Sequence, residues 1–145
     1  MEEVVRARGH EHVAAEHGST FEVTTDDWLT PAGDCIVGVD ADRAPAAFGT
    51  EFVAACRSRT ATVEATVVAE AGRRRVEETV VGRGDPDLTF DSDRGLVART
   101  STYVDDRTVL VDADRAAADL DRDLVALLTR AEGDASLTLT LRVEE

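Results

Sequence analysis

The segment 60–70, with the sequence TATVEATVVAE, alternates apolar and polar residues more clearly than any other part of the chain. An alternation with a period of two predicts a β-strand with one face in the core and the other in solvent. Gly72 marks a tight turn, after which 74–81 returns as the second strand of a hairpin. The hairpin favours a mainly β fold with antiparallel pairing.

Shorter segments of strand character lie on both sides of this hairpin. They are 4–8, 20–25, 35–39, 88–90, 96–102, 108–111 and 137–143. In 20–25, Phe21 and Val23 are expected to face the core. Glu22 and Thr24 then face solvent. The two segments on either side of Asp105 are predicted to pair as a second hairpin-like unit.

Two further segments have helical spacing. Pro45 suits a first helical turn, although Gly49 weakens the helix that follows. The apolar stripe of that helix is Phe48, Phe52, Ala55 and Cys56. A second helix is predicted with Asp114 as its cap and Gly133 as its stop. Its stripe is Ala117, Leu120, Leu124, Leu127, Leu128 and Ala131.

These elements predict a β-sandwich or distorted barrel of about eight or nine mostly antiparallel strands, with two helices packed at one side. A doubly wound α/β sheet would need more crossover helices. No repeat, low-complexity tract or linker divides the chain, so residues 1–145 are expected to form a single domain.

The amino-acid composition is unusual for a protein that works in dilute salt. The chain has 30 acidic residues against 16 basic ones, a net charge of −14, and all its basic residues are arginine. Lys, Asn and Gln do not occur in the sequence. At about 1 M salt the Debye length is roughly 3 Å, so an acidic surface repels itself little. The composition therefore indicates adaptation to molar salt; GC-rich coding DNA is the alternative explanation.

The same charge argues against nucleic acid as a partner, because both carry negative charge and phosphate contacts weaken as salt rises. The acidic start at Met1 lacks the apolar stretch of a signal peptide, and no apolar run approaches the length of a membrane span. We therefore expect a cytoplasmic protein with a small molecule or a protein as its partner. Cys35 and Cys56 are expected to remain thiols in a reducing cytosol.

Reactive side chains are densest between residues 8 and 36, where all three histidines lie. His10 and His12 on one strand face are compatible with a metal, with Asp34 or Cys35 as further ligands, but Gly9 interrupts the strand. The alternative is a set of solvated or hydrogen-bonded loop histidines.

A nucleophile is the second interpretation of this stretch. Cys35 with a histidine as base and Asp34 as orienting group has the right residue types. The alternative is that Cys35 opens an apolar strand as a small core residue.

A second polar cluster contains Arg99 and Arg107 among hydroxyl side chains. Two guanidinium groups beside Ser and Thr suit a carboxylate or phosphate. Internal ion pairing with Asp105, Asp106 or Asp112 is the alternative. Walker, dinucleotide-binding, nucleophile-elbow and paired-cysteine zinc motifs do not occur in the sequence.

Several segments resemble an archaeal family known as domain of unknown function 371. They are Arg8-Gly9-His10, His17, Leu29-Thr30, the run from Gly33 to Val39, Arg99-Thr100-Ser101, Arg107-Thr108 and the run from Asp114 to Ala117. The resemblance implies an archaeal source and a compact β-sandwich-like domain, and it implies no activity. It favours His10 and His17 over His12 as site residues.

We therefore predict a binding domain with a polar site formed by His10, His17, Asp34, Arg99 and Arg107. In this hypothesis the histidines form hydrogen bonds, Asp34 recognises a cation or donor, and the arginines recognise an anion. The alternative is a small enzyme that uses His10, His17 and Asp34 for acid/base chemistry, with or without a metal. The sequence specifies no cofactor.

Overall fold

A computed structural model describes residues 1–130 and 134–144 of the chain. Among these residues, the strands and helices are β1 (Glu2–Arg8), β2 (Thr20–Thr24), β3 (Ile36–Gly38), α1 (Thr50–Cys56), β4 (Thr62–Ala71), β5 (Arg74–Arg83), β6 (Gly95–Arg99), β7 (Thr108–Leu110), α2 (Arg122–Leu128) and β8 (Ser136–Glu144). A short 3-10 helix precedes each α-helix, at Pro45–Ala47 and at Ala117–Asp119.

The strands form two four-stranded sheets, with the orders β1-β8-β4-β5 and β3-β2-β6-β7. The prediction of a mainly β fold with two helices is confirmed, in the form of two sheets that do not close into a barrel. The segment with the clearest alternation forms β4, and its Val63, Ala65 and Val67 are buried. Buried residues of both sheets and both helices belong to one hydrophobic cluster.

Two predictions about strands are wrong. The segments around Asp105 do not form a hairpin, because β6 and β7 run parallel, with Val97 opposite Thr108. The connection between them must therefore return the chain to the starting edge of β6. The segment 88–90 is not a strand, because Phe90 has a φ of 53°, which is incompatible with extended pairing.

Both helices begin later than predicted. Asp121, not Asp114, caps α2, and its side chain accepts a hydrogen bond from the Asp123 amide. Asp114 accepts instead from the Val81 amide at 2.9 Å. Gly49 is the N-cap of α1, so its flexibility falls outside the helix. Ala131 and Gly133, which we expected to end the second helix, lie outside the described residues.

The chain contains an internal duplication, so the prediction that it holds no repeat is wrong. The sequence VDADRA occurs twice, beginning at Val39 and at Val111. The second residue of each copy has a positive φ, 58° at Asp40 and 51° at Asp112. A non-glycine residue rarely adopts this conformation, so the match between the copies is specific.

The duplication extends over the described chain. Residues 2–71, the first half, and residues 74–144, the second half, each contribute three strands, a 3-10 helix, an α-helix and a final strand. Each sheet takes two strands from each half and joins the halves at its centre, through β2 with β6 and β4 with β8. Glu22 lies opposite Val97 at the first of these junctions. Positions in the two halves that make the same backbone hydrogen bonds are called equivalent below.

Candidate functional site

His10 closes a turn after β1. Its Nδ1 accepts a hydrogen bond from the His12 amide at 3.0 Å. The equivalent residue of the second half is Asp85, whose Oδ1 accepts from the Asp87 amide at 2.9 Å. The amide of each donates to the last residue of a helix, to Leu128 O from His10 and to Cys56 O from Asp85. The imidazole of His10 thus makes the local contact that a carboxylate makes in the other half.

His17 is equivalent to Ser92 of the second half, and both side chains accept hydrogen bonds from nearby backbone amides. The amides of His17 and Ser92 donate to the carbonyl oxygens of Asp34 and Asp106, which makes the two positions equivalent. His17 Nδ1 accepts hydrogen bonds from the amides of Ser19 and Thr20, two and three residues later, each at 3.2 Å. Ser92 Oγ accepts in the same way from the amides two and three residues later. An acceptor at Nδ1 places the proton of a neutral ring on Nε2.

The structure brings the five predicted site residues together only in pairs. His17 and Asp34 meet through the backbone, with an N–O distance of 3.3 Å. Arg99 and Arg107 converge on Asp105, at 2.8 Å and 3.7 Å. Among hydrogen bonds and ion pairs between described residues, none joins His10 to the other four. Their role in ligand binding stays a prediction.

The arginine cluster shows the internal ion pairing that we gave as the alternative for it. Burial acts to raise the pKa of Asp105. The hydroxyl of Thr108, the backbone of Arg107 and the charge of Arg99 act in the other direction and hold the pKa below its usual value. The guanidinium of Arg99 also lies over the ring of Tyr103, 4.9 Å from the centroid. Arg99 is therefore engaged at its N–H edge by Asp105 and Thr108 and on one face by Tyr103.

A cleft of about 250 Å³ lies beside the outer face of β2. Its wall includes Glu22 and Thr24 of β2, Trp28 and Leu29 of the following loop, and Arg94 and Arg107. We name it the Glu22 cleft. Glu22 and Thr24, predicted to be solvent-facing, are 9% and 3% exposed. The loop that follows β2 and the arginines of the second half cover this face of the strand.

Glu22 is the buried charge at the base of the cleft. Its Oε2 accepts from Arg107 Nη1 at 3.3 Å, and its Oε1 accepts from the Cys35 thiol at 3.7 Å. Burial raises the pKa of the Glu22 carboxyl above its usual value, against the opposing charge of Arg107. Gly95 makes room for this pair, since a Cβ there would lie 2.5 Å from Glu22 Oε2.

The two halves differ most sharply at this cleft. The position of Glu22 is taken by Val97 in the second half, and the position of Thr24 by Arg99. Tyr103 is equivalent to Trp28, at the same distance along the chain, and the side chain of Arg99 packs on it. The large side chain of Arg99 thus occupies the region that Thr24 leaves open in the first half.

Both cysteine thiols are poor nucleophiles at neutral pH. Burial, together with the charge of Glu22, raises the pKa of Cys35 to about 11. Burial raises the pKa of Cys56 to about 12. Because the thiolate is the reactive form, neither environment activates a cysteine. The interpretation of Cys35 as a partly buried packing residue fits this geometry better than the interpretation as a nucleophile.

Sequence reasoning missed Glu22, Trp28 and Arg94. We assigned Glu22 to the solvent side of an alternating strand, and that assignment hid it. Alignment of the two halves would have shown that a charged residue, Glu22, stands where the second half has the apolar Val97. In residues 1–130 and 134–144, no cluster of three or more His, Cys, Asp or Glu side chains is arranged to hold a metal ion.

Comparison with known proteins finds a family of unknown function and an archaeal relative. A family model described as "Domain of unknown function (DUF371)" matches residues 5–144. A protein of Methanocaldococcus jannaschii, named only as uncharacterized, is 34% identical over 128 residues. That match covers 88% of this chain and 91% of the relative. Among the described residues, no helix has the length and apolar character to cross a membrane.

Proposed function

The chain belongs to the DUF371 family, and we propose that it is a binding domain whose small-molecule ligand occupies the Glu22 cleft. One observation carries the proposal: a buried carboxylate lines this cleft at a position where the other half of the fold has a valine. A buried charge costs folding free energy, and the fold does not need one there. We infer that Glu22 is retained, despite this cost, because it binds a ligand.

The chemistry of the wall defines a class of ligand. Trp28 is 55% exposed and offers a flat apolar ring to a ring on the ligand. Glu22 accepts hydrogen bonds and suits an N–H or O–H donor. The guanidinium of Arg107 has five N–H donors, and its ion pairs with Glu22 and Asp105 do not use all of them. The remaining donors suit a carboxylate or phosphate. The proposed ligand is a ring-containing carboxylate or phosphate with one hydrogen-bond donor.

The proposal retains one recognition residue from the sequence hypothesis. Arg107 keeps its assigned role toward an anion, and Glu22 takes the donor-recognition role that we first gave to Asp34. His17 and Asp34 act indirectly, because their backbone contact ties the loop before β2 to the loop that ends at β3. Arg99 fills the equivalent region of the second half.

Trp28 provides the test, since it is the single tryptophan of the chain. We would titrate aromatic carboxylates and nucleoside monophosphates in molar KCl and follow tryptophan emission and thermal stability. A ligand of the cleft should change the emission saturably and raise the melting temperature. Both effects should weaken in Arg107→Ala.

The duplication supplies a matched control. Trp28→Ala should abolish the thermal shift, whereas Tyr103→Ala removes the equivalent exposed ring of the second half and should leave it intact. The proposal is wrong if no compound in either class changes emission and stability, or if the thermal shift persists in Trp28→Ala.

An enzyme is the second candidate, and the raised pKa of Glu22 favours it. A carboxyl whose pKa moves toward neutrality in a cleft, beside a guanidinium, is suited to general acid/base chemistry. This version places the chemistry on Glu22 in place of His10, His17 and Asp34. Mass spectrometry of a cleft ligand after incubation would detect a product, and Glu22→Gln should abolish its formation while retaining binding.

We also propose that the protein works in the cytoplasm of a cell with molar internal salt. The net charge of −14 and the use of arginine alone as the basic residue support this solvent. In such a solvent, stacking and buried hydrogen bonds keep their strength, while exposed ionic attraction is screened. The combination of Trp28 and a buried Glu22 suits recognition under those conditions.

A further inference from the structure

Arg122 of the second half binds a set of backbone carbonyl oxygens. It is the first residue of α2, and its guanidinium folds back over the preceding 3-10 helix. The acceptors are Leu120 O at 3.0 Å, Ala15 O at 3.2 Å, Ala117 O at 2.9 Å and Ala118 O at 3.3 Å. A planar cation with five donors is well matched to several converging acceptors.

The first half contains the same backbone without the arginine. Thr50 is the first residue of α1 and is therefore equivalent to Arg122. The carbonyls equivalent to the four acceptors belong to Phe48, Phe90, Pro45 and Ala46. All four residues, together with Thr50, line a cavity of about 280 Å³. We name it the α1 pocket.

The backbone conformation supports this equivalence at each end of the acceptor set. Phe48 has φ −72° and ψ 151°, and Leu120 has φ −67° and ψ 148°. Phe90 and Ala15 share the rare positive φ, at 53° and 51°. The α1 pocket is therefore lined by the residues whose equivalents accept from Arg122, and the backbone dihedrals that can be compared agree between the two halves.

The side chains of the α1 pocket suit an aliphatic stem. Phe48, Phe90 and Val53 supply its apolar wall, with the two phenylalanine rings 6.1 Å apart. Among the described residues that line the pocket, Arg57 is the one cation, and its Nε and Nη2 donate to Pro86 O at 3.3 Å and 3.2 Å.

We propose that the α1 pocket binds a guanidinium group carried on an aliphatic stem. The carbonyl oxygens of Pro45, Ala46, Phe48 and Phe90 accept from it as their equivalents accept from Arg122. The guanidinium belongs either to a free metabolite of the arginine type or to an arginine side chain of a protein. This site is separate from the Glu22 cleft and does not depend on its function.

The test is a titration followed by NMR in molar KCl with L-arginine, agmatine and a short arginine-containing peptide. Saturable shifts of the Phe48, Thr50 and Phe90 resonances are expected. Binding of L-arginine or agmatine identifies a metabolite site, and binding of the peptide alone identifies a protein-derived arginine. Putrescine, which is agmatine with an ammonium in place of the guanidinium group, should bind more weakly. No saturable shift with any of the three probes overturns the proposal.

A variant built from the duplication makes the test specific. Thr50→Arg places an arginine where Arg122 stands in the second half, at an exposed position. It should fill the α1 pocket, abolish the probe-induced shifts and raise the melting temperature. Thr50→Val is the control and should retain binding. Undiminished binding by Thr50→Arg would place the probe elsewhere and overturn the proposal.

Discussion

Replacement of Glu22 by valine should stabilise the protein. Val97 shows that the duplicated fold accepts valine at this position. The ion pair with Arg107 is lost, but Arg107 is 43% exposed, so solvent limits that loss to about 1 kcal/mol. Removal of a carboxylate that is 9% exposed relieves a desolvation penalty of roughly several kcal/mol. The expected net gain at pH 7 is about 1–3 kcal/mol in the free energy of unfolding.

Urea unfolding followed by circular dichroism in molar KCl measures this gain. Because burial raises the pKa of Glu22, the penalty of ionisation is present above the folded-state pKa and disappears as pH falls below the ordinary value of 4.5. The stability difference between Glu22→Val and wild type should therefore shrink between pH 7 and pH values near 4. Glu70→Val, at an exposed site on β4, is the control and should stay within about 0.5 kcal/mol of wild type. A loss of stability in Glu22→Val would show that Glu22 serves the fold, and a gain independent of pH would show that ionisation of Glu22 is not the source of the penalty.

Three further predictions follow from the packing and the charge. Gly9→Ala and Gly84→Ala should each lower the free energy of unfolding by about 3 kcal/mol or more in urea unfolding. The new Cβ would lie 2.2 Å and 2.1 Å, respectively, from a backbone carbonyl oxygen. Gly18→Ala is the control and should change stability little, because the space around Gly18 is open. Asp105→Asn should lose about 1–3 kcal/mol at pH 7 by removing the charge-assisted hydrogen bond from Arg99. The lowered pKa of Asp105 means that this contribution is fully present above the ordinary value of 3.8 and is lost as pH falls through the folded-state pKa, so wild type and variant should converge as the pH is lowered below 3.8. Dialysis from 1 M to about 0.1 M salt extends the Debye length from about 3 Å to about 10 Å and should unfold the protein by circular dichroism; a native spectrum in dilute buffer contradicts salt adaptation.

The alternating strands and the hairpin of β4 with β5 were predictable from sequence, and the other pairing partners were not. The segment 60–70 and the final strand show their burial in their own periodicity, because the period of two is a local property. The parallel pairing of β6 with β7 depends on the path of a connection that carries no local signal. Phe90 is apolar and follows Leu88, yet its positive φ removes it from any strand.

The candidate site was only partly predictable, because its residues come from both halves of the chain. Arg107 was identified from its neighbouring hydroxyls, and it does line the Glu22 cleft. Glu22 looked like a surface residue because the loop after β2 and two arginines distant in sequence, Arg94 and Arg107, cover it. The histidines drew attention by their chemistry, whereas Asp85 and Ser92 make the equivalent local contacts in the other half. The repeated VDADRA was the sequence signal that would have led to these comparisons.

The most direct test of the proposed function is the affinity of a cleft ligand for Glu22→Val, measured by the emission of Trp28 under conditions where the variant is folded. If Glu22 is retained for binding, the variant should be more stable than wild type and bind the ligand at least about tenfold more weakly, the equivalent of one hydrogen bond to a charged group. Unchanged affinity in the folded variant would contradict the assignment of the Glu22 cleft as the ligand site.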